Sequence, residues 1–167
     1  MVEIRLLEKA DIQPIAAAFA ELGWHKPASQ YENYLKEQDA GRRMVLLATV
    51  DGIFAGYVTV LWDPIYTPFR EDHIPEIADF NVLPKFRRRG IGTKLMDEAE
   101  RQIRERSTIA GIGVGLTGDY GAAQILYIRR GYIPDGRGIS WQGKTCQYGD
   151  DIVVDDGLIL YFTKKLI

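Results

Sequence analysis

Arg87, Arg88, Arg89, Gly90 and Gly92 lie within the stretch Val82-Leu-Pro-Lys-Phe-Arg-Arg-Arg-Gly-Ile-Gly-Thr-Lys-Leu95, and residues of these types in this order can hold a phosphate. A strand ends, a basic turn follows, and two glycines open a helix. The first turn of a helix offers N–H groups without an intrahelical acceptor and a partial positive charge, both favourable to an anion. Glycines at 90 and 92 carry no Cβ that would keep a pyrophosphate from the backbone. The arginines add charge-assisted hydrogen bonds to phosphate oxygens. The competing reading is a tight turn carrying solvated arginines. No Gly-Lys-Ser/Thr follows at the Walker spacing, and the turn alone does not name the nucleotide.

The surrounding pattern predicts the elements that position this turn. Val2–Leu7 alternates as a strand, and Asp11 is placed to cap a helix with Ile12, Ile15, Ala16, Phe19 and Ala20 on one face, stopped by Gly23. Pro27 suits the first turn of a second helix that Gly41 ends. Met44–Val50 and Ile53–Leu61 are apolar, β-branched runs joined by Asp51-Gly52, the signature of a two-residue hairpin. Residues 62–75, with Pro64, Pro68 and Pro75, read as a long loop, and Glu76–Val82 as a strand. Gly90–Arg106 is an amphipathic helix burying Ile91, Leu95, Ala99 and Ile103, with Asp97–Arg101 and Glu100–Arg104 as pairs on its solvent side. Ile109–Leu116 follows as a glycine-rich strand, then a helix Gly121–Arg130 stopped by Gly131. Tyr132–Ile133 begins a further strand, Pro134-Asp135-Gly136 is a turn, and Leu158–Thr163 is the last strand. This order describes an α/β (α+β) chain, a mixed sheet with helices on its faces, in a single domain over residues 1–167.

Composition narrows the function. The chain has 167 residues, enough for one sizeable core, and 21 basic against 23 acidic residues leave a net charge of −2. That balance disfavours a nucleic-acid partner, while the local cluster of Lys85, Arg87, Arg88, Arg89 and Lys94 favours a small anion. One cysteine, Cys146, forbids an internal disulfide, and two distant histidines, His25 and His73, give no metal-ligand spacing. No apolar run approaches the roughly 20 residues of a membrane span and no signal pattern opens the chain, so the expectation is a cytoplasmic protein with no membrane partner and no metal.

A resemblance adds to this reading. Arg87-x-x-Gly90-x-Gly92 after Val82-Leu83-Pro84 resembles the acetyl-CoA signature of the GNAT N-acetyltransferase superfamily. The stretch Ala123-Gln-Ile-Leu-Tyr127-Ile-Arg-Arg-Gly131-Tyr132 resembles that family's second motif, Ala-x-x-Leu-Tyr-x-x-x-Gly-aromatic. The resemblance covers most of the chain. It implies a mostly antiparallel sheet that splays at the acetyl-CoA site, with backbone N–H groups from Arg87 through Gly90, Ile91, Gly92 and Thr93 on the pyrophosphate. It also implies that the backbone of Asn81, Val82 and Leu83 pairs with the pantetheine arm as an added strand would, with the Val82 N–H on the thioester carbonyl. Tyr127 is implied as proton donor to the departing thiolate and as a cofactor contact. The family's usual Asn, three residues before Ala123, is replaced here by Tyr120, which puts its contact in question.

Acetyl transfer to an amine of pKa about 10.4 requires a base. Glu76 and Asp79, on opposite faces of the strand leading into the signature, are the two candidates. The acceptor is expected over residues 62–75 and 141–156, where Trp62, Tyr66, Phe69, Trp141 and Tyr148 stand beside carboxylates, an arrangement that suits an organic ammonium. A small-molecule amine is the expected acceptor, with a peptide or protein amine, or a non-catalytic acyl-CoA-binding module, as alternatives. The family's frequent dimers make a homodimer the further expected partner. Gly113-Val-Gly-Leu-Thr-Gly118 fits the dinucleotide pattern G-x-G-x-x-G in letters, with Asp135 downstream. Its first glycines, however, lie inside an apolar run instead of after it, and too little chain follows for a second βαβ half.

Overall fold

The computed structural model describes residues 1–167. Eight strands, β1 (Val2–Leu6), β2 (Arg43–Val50), β3 (Ile53–Leu61), β4 (Glu76–Val82), β5 (Ile109–Gly115), β6 (Ile133–Trp141), β7 (Lys144–Thr145) and β8 (Leu158–Lys165), are hydrogen-bonded in the order β1-β2-β3-β4-β5-β8-β6-β7. The helices are α1 (Ile12–Glu21), α2 (Ala28–Asp39), α3 (Thr67–Glu71), α4 (Ile91–Arg104) and α5 (Gly121–Arg129). The β4–β5 ladder is parallel, over Glu76↔Gly111 and Ile77↔Ile112, whereas β1–β2, β2–β3, β5–β8, β6–β7 and β6–β8 are antiparallel. The mixed, mostly antiparallel α/β architecture agrees with the sequence. The chain divides into two compact units, Met1–Trp62 with Ala78–Gln102, and Asp63–Ile77 with Ile103–Ile167.

In the first unit, the β2–β3 hairpin turns on Asp51 (φ 50°) and Gly52 (φ 81°), both left-handed as a two-residue loop requires. Six successive residues of each strand's interior are buried, so the hairpin is covered on both faces. Ile12, Ile15 and Phe19 of α1 and Tyr31 of α2 are buried, and Phe19 stacks on Trp24 and meets Tyr57 edge-on. Ile91, Leu95, Met96 and Ala99 form the buried face of α4. Glu100, expected on the solvent side, is instead only 5% exposed. A period of 3.6 residues places position 100 between 96 and 103 on the buried stripe, which outweighs its charge.

The second unit explains the glycine-rich strand. An ideal Cβ on Gly111 would lie 2.3 Å from the Phe69 ring, on Gly113 2.8 Å from Tyr161, and on Gly115 2.4 Å from Tyr120. Residues two apart share a face of a strand, so one face of β5 is stripped of side chains to seat three aromatic rings. The segment 62–75, expected as a loop, contains α3 with Pro68 in its first turn and Phe69 buried. Tyr66, Phe69, Ile74 and Tyr161 form a core, the Tyr66 and Tyr161 rings stacked 3.6 Å apart. Pro134-Asp135-Gly136 is not a free turn. It lies inside β6, where the register on β8 slips between Pro134 and Ile139 and Gly136 and Gly138 take positive φ. The short β7, absent from the sequence reading, pairs with β6 across Gln142 and Gly143, again both left-handed. No helix is long and apolar enough to cross a membrane.

Asp11 precedes α1 without bonding to its amides. Its carboxylate instead takes both Nη atoms of Arg5, at 2.7 and 2.8 Å, and the Glu8 N–H at 2.8 Å. The Arg5 hydrogen bonds hold the Asp11 carboxyl below its ordinary pKa, against the opposing effect of burial. Asp11→Asn is therefore expected to cost about 1 kcal/mol at neutral pH. Because the folded pKa is depressed, that contribution is present above the unfolded carboxylate value of about 3.9 and disappears as pH falls through the folded one. Urea denaturation from neutral to acid pH should show wild type and variant converging.

Candidate active site

Downstream of β4, residues Pro84–Phe86 form one 3₁₀ turn anchored by the buried Phe86 ring. Arg87 is extended, Arg88 (φ 59°) and Gly90 (φ 75°) are left-handed, and α4 starts at Ile91. Alternation of this kind gathers successive N–H groups into an anion-binding concavity. Lys94 N–H donates to the Gly90 carbonyl at 3.0 Å as the first bond of the helix, so the amides of Ile91, Gly92 and Thr93 lack an acceptor within it. The side chains of Arg87, Arg88 and Arg89 are exposed around them, and Arg87 Nε donates to the Val82 carbonyl at 3.0 Å. One turn thus brings together every residue from Arg87 to Thr93 that the sequence singled out. The two glycines differ in purpose. Gly90 sits in open space and is required by its φ, whereas a Cβ on Gly92 would lie 3.0 Å from the Phe80 ring.

The strand entering this turn is distorted. Asp79, in the middle of β4, has φ 47°, a conformation seldom held by a non-glycine residue without local compensation. Its carboxylate supplies that compensation. Oδ1 accepts from Lys26 Nζ (3.1 Å) and Asn81 Nδ2 (2.9 Å), and Oδ2 from Gln30 Nε2 (3.1 Å), Tyr34 Oη (2.8 Å) and Tyr57 Oη. Burial first, and the Asp79 charge second, push the Tyr57 and Tyr34 hydroxyls above their ordinary pKa, so both remain donors. Beyond Asp79, Leu83 N–H donates to the Ala55 carbonyl at 2.9 Å. Gly56 permits this approach, since its Cβ would fall 2.5 Å from the Asn81 carbonyl oxygen and 3.0 Å from Val82 Cα. Sequence reasoning reached Asp79, Asn81, Val82 and Leu83 but missed Lys26, Gln30, Tyr34 and Tyr57. They come from three other elements, and no local spacing links them.

In the second unit, Glu76 stands in the short parallel ladder, and its charge joins the larger effect of burial in raising the Tyr161 pKa. Tyr127, on α5, is 6% exposed and meets Tyr132 edge-on at 6.1 Å, and burial alone pushes its hydroxyl up to about 12. Tyr120, in place of the family's Asn, lays its ring over Gly115 and donates to Asp156 at 2.9 Å, and Gln124 donates to the Gly115 carbonyl at 2.9 Å. The aromatics expected to greet an acceptor do not act together. Tyr66 and Phe69 are buried in the core, and Tyr66 donates to Asp135 at 2.7 Å. Trp141 Nε1 donates to Asp155 at 3.1 Å and, with Lys144, Cys146 and Asp150, lines a cavity of about 260 Å³, whereas Tyr148 is fully exposed.

Comparison with known proteins gives the family and the fold. The Acetyltransferase (GNAT) family matches residues 10–132. The chain is 29% identical over 128 residues to an uncharacterized N-acetyltransferase of Archaeoglobus fulgidus, covering 70% of this chain and 84% of that one. Its fold is similar to the ribosomal-protein-alanine N-acetyltransferase of Brucella melitensis (TM-score 0.71, 21% identity, 98% and 99% of the two chains). It is also similar to yncA of Salmonella typhimurium, solved with its cofactor acetyl-CoA (TM-score 0.69, 18% identity, 99% and 94%). The protein belongs to the GNAT acetyltransferase family and is an acyltransferase.

Gly56→Ala tests the strand approach. The added methyl must displace the Asn81 and Val82 backbone, so a loss of about 1–3 kcal/mol in urea denaturation is expected, with faster hydrogen exchange at the Leu83 amide. Unchanged exchange at Leu83 would show that β4 does not depend on this contact.

Proposed function

We propose that the protein moves an acetyl group from acetyl-CoA to the primary amine of a small molecule, both substrates being bound together. The observation that carries this reading is the turn at 87–93, where two left-handed residues, three helix-terminal amides and three exposed arginines converge. Such a turn suits a pyrophosphate and its flanking phosphates, and Arg87–Thr93 would hold them. The backbone of Asn81–Leu83 would carry the pantetheine arm, and the Val82 N–H would polarise the thioester carbonyl. The cosubstrate supplies an acetyl thioester for a neutral amine to attack.

Two proton movements accompany the transfer. We assign the acceptor's proton to Glu76, because the Asp79 carboxylate is already engaged by five donors. The proton for the departing sulfur comes from Tyr127. Its place in the motif supports this role, and a hydroxyl pKa raised to about 12 keeps the proton on the phenol at neutral pH. Tyr127→Phe preserves the ring packing and is expected to lower turnover by about 10²-fold with little change in the KM for acetyl-CoA. In the wild type, the pH–rate profile should show no falling limb from this group until pH nears about 12. Undiminished turnover in the variant would remove Tyr127 from the chemistry.

Acetyl-CoA at a hundred times its dissociation constant should stabilise the fold by about 2.7 kcal/mol, read as a rise in melting temperature. Replacing Arg87, Arg88 and Arg89 by alanine should weaken that response at least about tenfold in acetyl-CoA concentration, and NADH should produce no rise in either protein. A response to NADH but not to acetyl-CoA would overturn the assignment.

A further inference from the structure

Lys26 is an amine already bound beside the strand assigned to the thioester. Its Nζ lies 3.1 Å from Asp79 Oδ1 and 3.1 Å from Tyr57 Oη, and it stands 5.6 Å from the centre of the Phe19 ring and 5.8 Å from that of Tyr57. A carboxylate, a hydroxyl oxygen and two aromatic rings are what a primary ammonium needs when it leaves water. The frame of this cage does not depend on its occupant. Asp79 is also held by Gln30, Tyr34, Tyr57 and Asn81, and Tyr57 also accepts from Tyr31 and Asn81 at 3.4 Å.

The occupant, by contrast, is loosely tethered. Lys26 belongs to the link between α1 and α2, between the exposed His25 and Pro27, and its backbone N–H bonds only to the Trp24 carbonyl at 3.0 Å. Side-chain rotation can withdraw it without breaking a helix or a strand. Asp79 keeps a left-handed backbone within β4 to aim its carboxylate here, and strain of that kind gathers at binding sites. A simple structural ion pair would not need it, since such pairs add little net stability.

We propose that this cage is the ammonium site of the acetyl acceptor, that Lys26 fills it in the resting protein and yields to substrate, and that the acceptor is a small primary amine on an unbranched methylene chain. The inference rests on the acetyl-transfer reading above and names its substrate class. Hydrogen bonds to Asp79 and Tyr57 demand N–H donors, which excludes a quaternary ammonium. The resident side chain, four methylenes ending in an ammonium, sets the shape that the site accepts. Asp79 thereby binds and orients the ammonium.

The test removes the occupant and offers a substitute. Lys26→Ala should gain a saturable rise in melting temperature with n-butylammonium, at a concentration at least tenfold below any effect on the wild type. Tetramethylammonium should give no such rise, and Lys26→Ala/Asp79→Asn should lose it. No n-butylammonium response in Lys26→Ala, or a response that survives Asp79→Asn, overturns the proposal. A second readout uses the intact protein. The ¹⁵N signal of the Lys26 ammonium, assigned by its loss in Lys26→Arg, should move to the position of a solvated lysine as n-butylammonium saturates, and a signal that stays in place overturns the proposal even if Lys26→Ala does not fold. Neither readout uses acetyl-CoA, so failure here is separate from failure of the thermal shift with acetyl-CoA.

Discussion

The first unit is organised around one carboxylate. Asp79 sits in a strand with a left-handed backbone, and its two oxygens take five hydrogen bonds from α2, β3, β4 and the link before α2. A partly buried charge is costly unless its lone pairs are satisfied. The donors on α2, β3 and β4 are therefore fixed by the same requirement, and with them the docking of α2 on the hairpin. Tyr57 shows the linkage most directly. Its ring closes against Phe19 and Tyr31, while its hydroxyl joins the carboxylate. Hydrophobic packing and charge satisfaction here converge on the same residues, which makes the region stiff.

Glycines serve three separate ends along the chain. At 90 one allows a left-handed turn with nothing nearby, and at 56 one admits the neighbouring backbone to within contact. At 111, 113 and 115 they clear a strand face for aromatic rings. The last group also accounts for the dinucleotide-like lettering of β5. Gly113 and Gly115 face Tyr161 and Tyr120, and Asp135, the apparent ribose partner, accepts instead from Tyr66 and the Arg137 amide. A motif read as letters cannot distinguish a glycine that meets a phosphate from one that meets a phenyl ring.

The tyrosines divide by partner as well as by burial. Tyr34 and Tyr57 donate to a carboxylate, and that charge, after burial, keeps their protons in place. Tyr127 has burial alone behind its raised pKa. A buried phenol with no charged neighbour is suited to giving a hydrogen bond to a newly formed anion, whereas one already donating to a carboxylate is suited to structure and recognition.

Much was legible in the sequence because its causes are local. The Asp51-Gly52 hairpin, the bounds of β4, the α4 stripe and the Arg87–Gly92 turn depend on φ preferences, alternation and periodicity within a few residues. The second motif on α5, which contains Tyr127, is similarly short-range. Tertiary structure alone decided which distant side chains meet. It buried Phe69, expected at an open loop, because β5 offered it a face without side chains, and it buried Tyr66 in a stack on Tyr161. It drew Pro134–Gly136 into β6, where Pro134 pairs with Phe162 of β8 and the register slips before Ile139. It also joined Lys26, Gln30, Tyr34 and Tyr57 to Asp79 across separations of 22 to 53 residues. Those contacts form because a charge in a packed interior takes whatever donors the fold brings within reach, and that depends on where the chain returns in space.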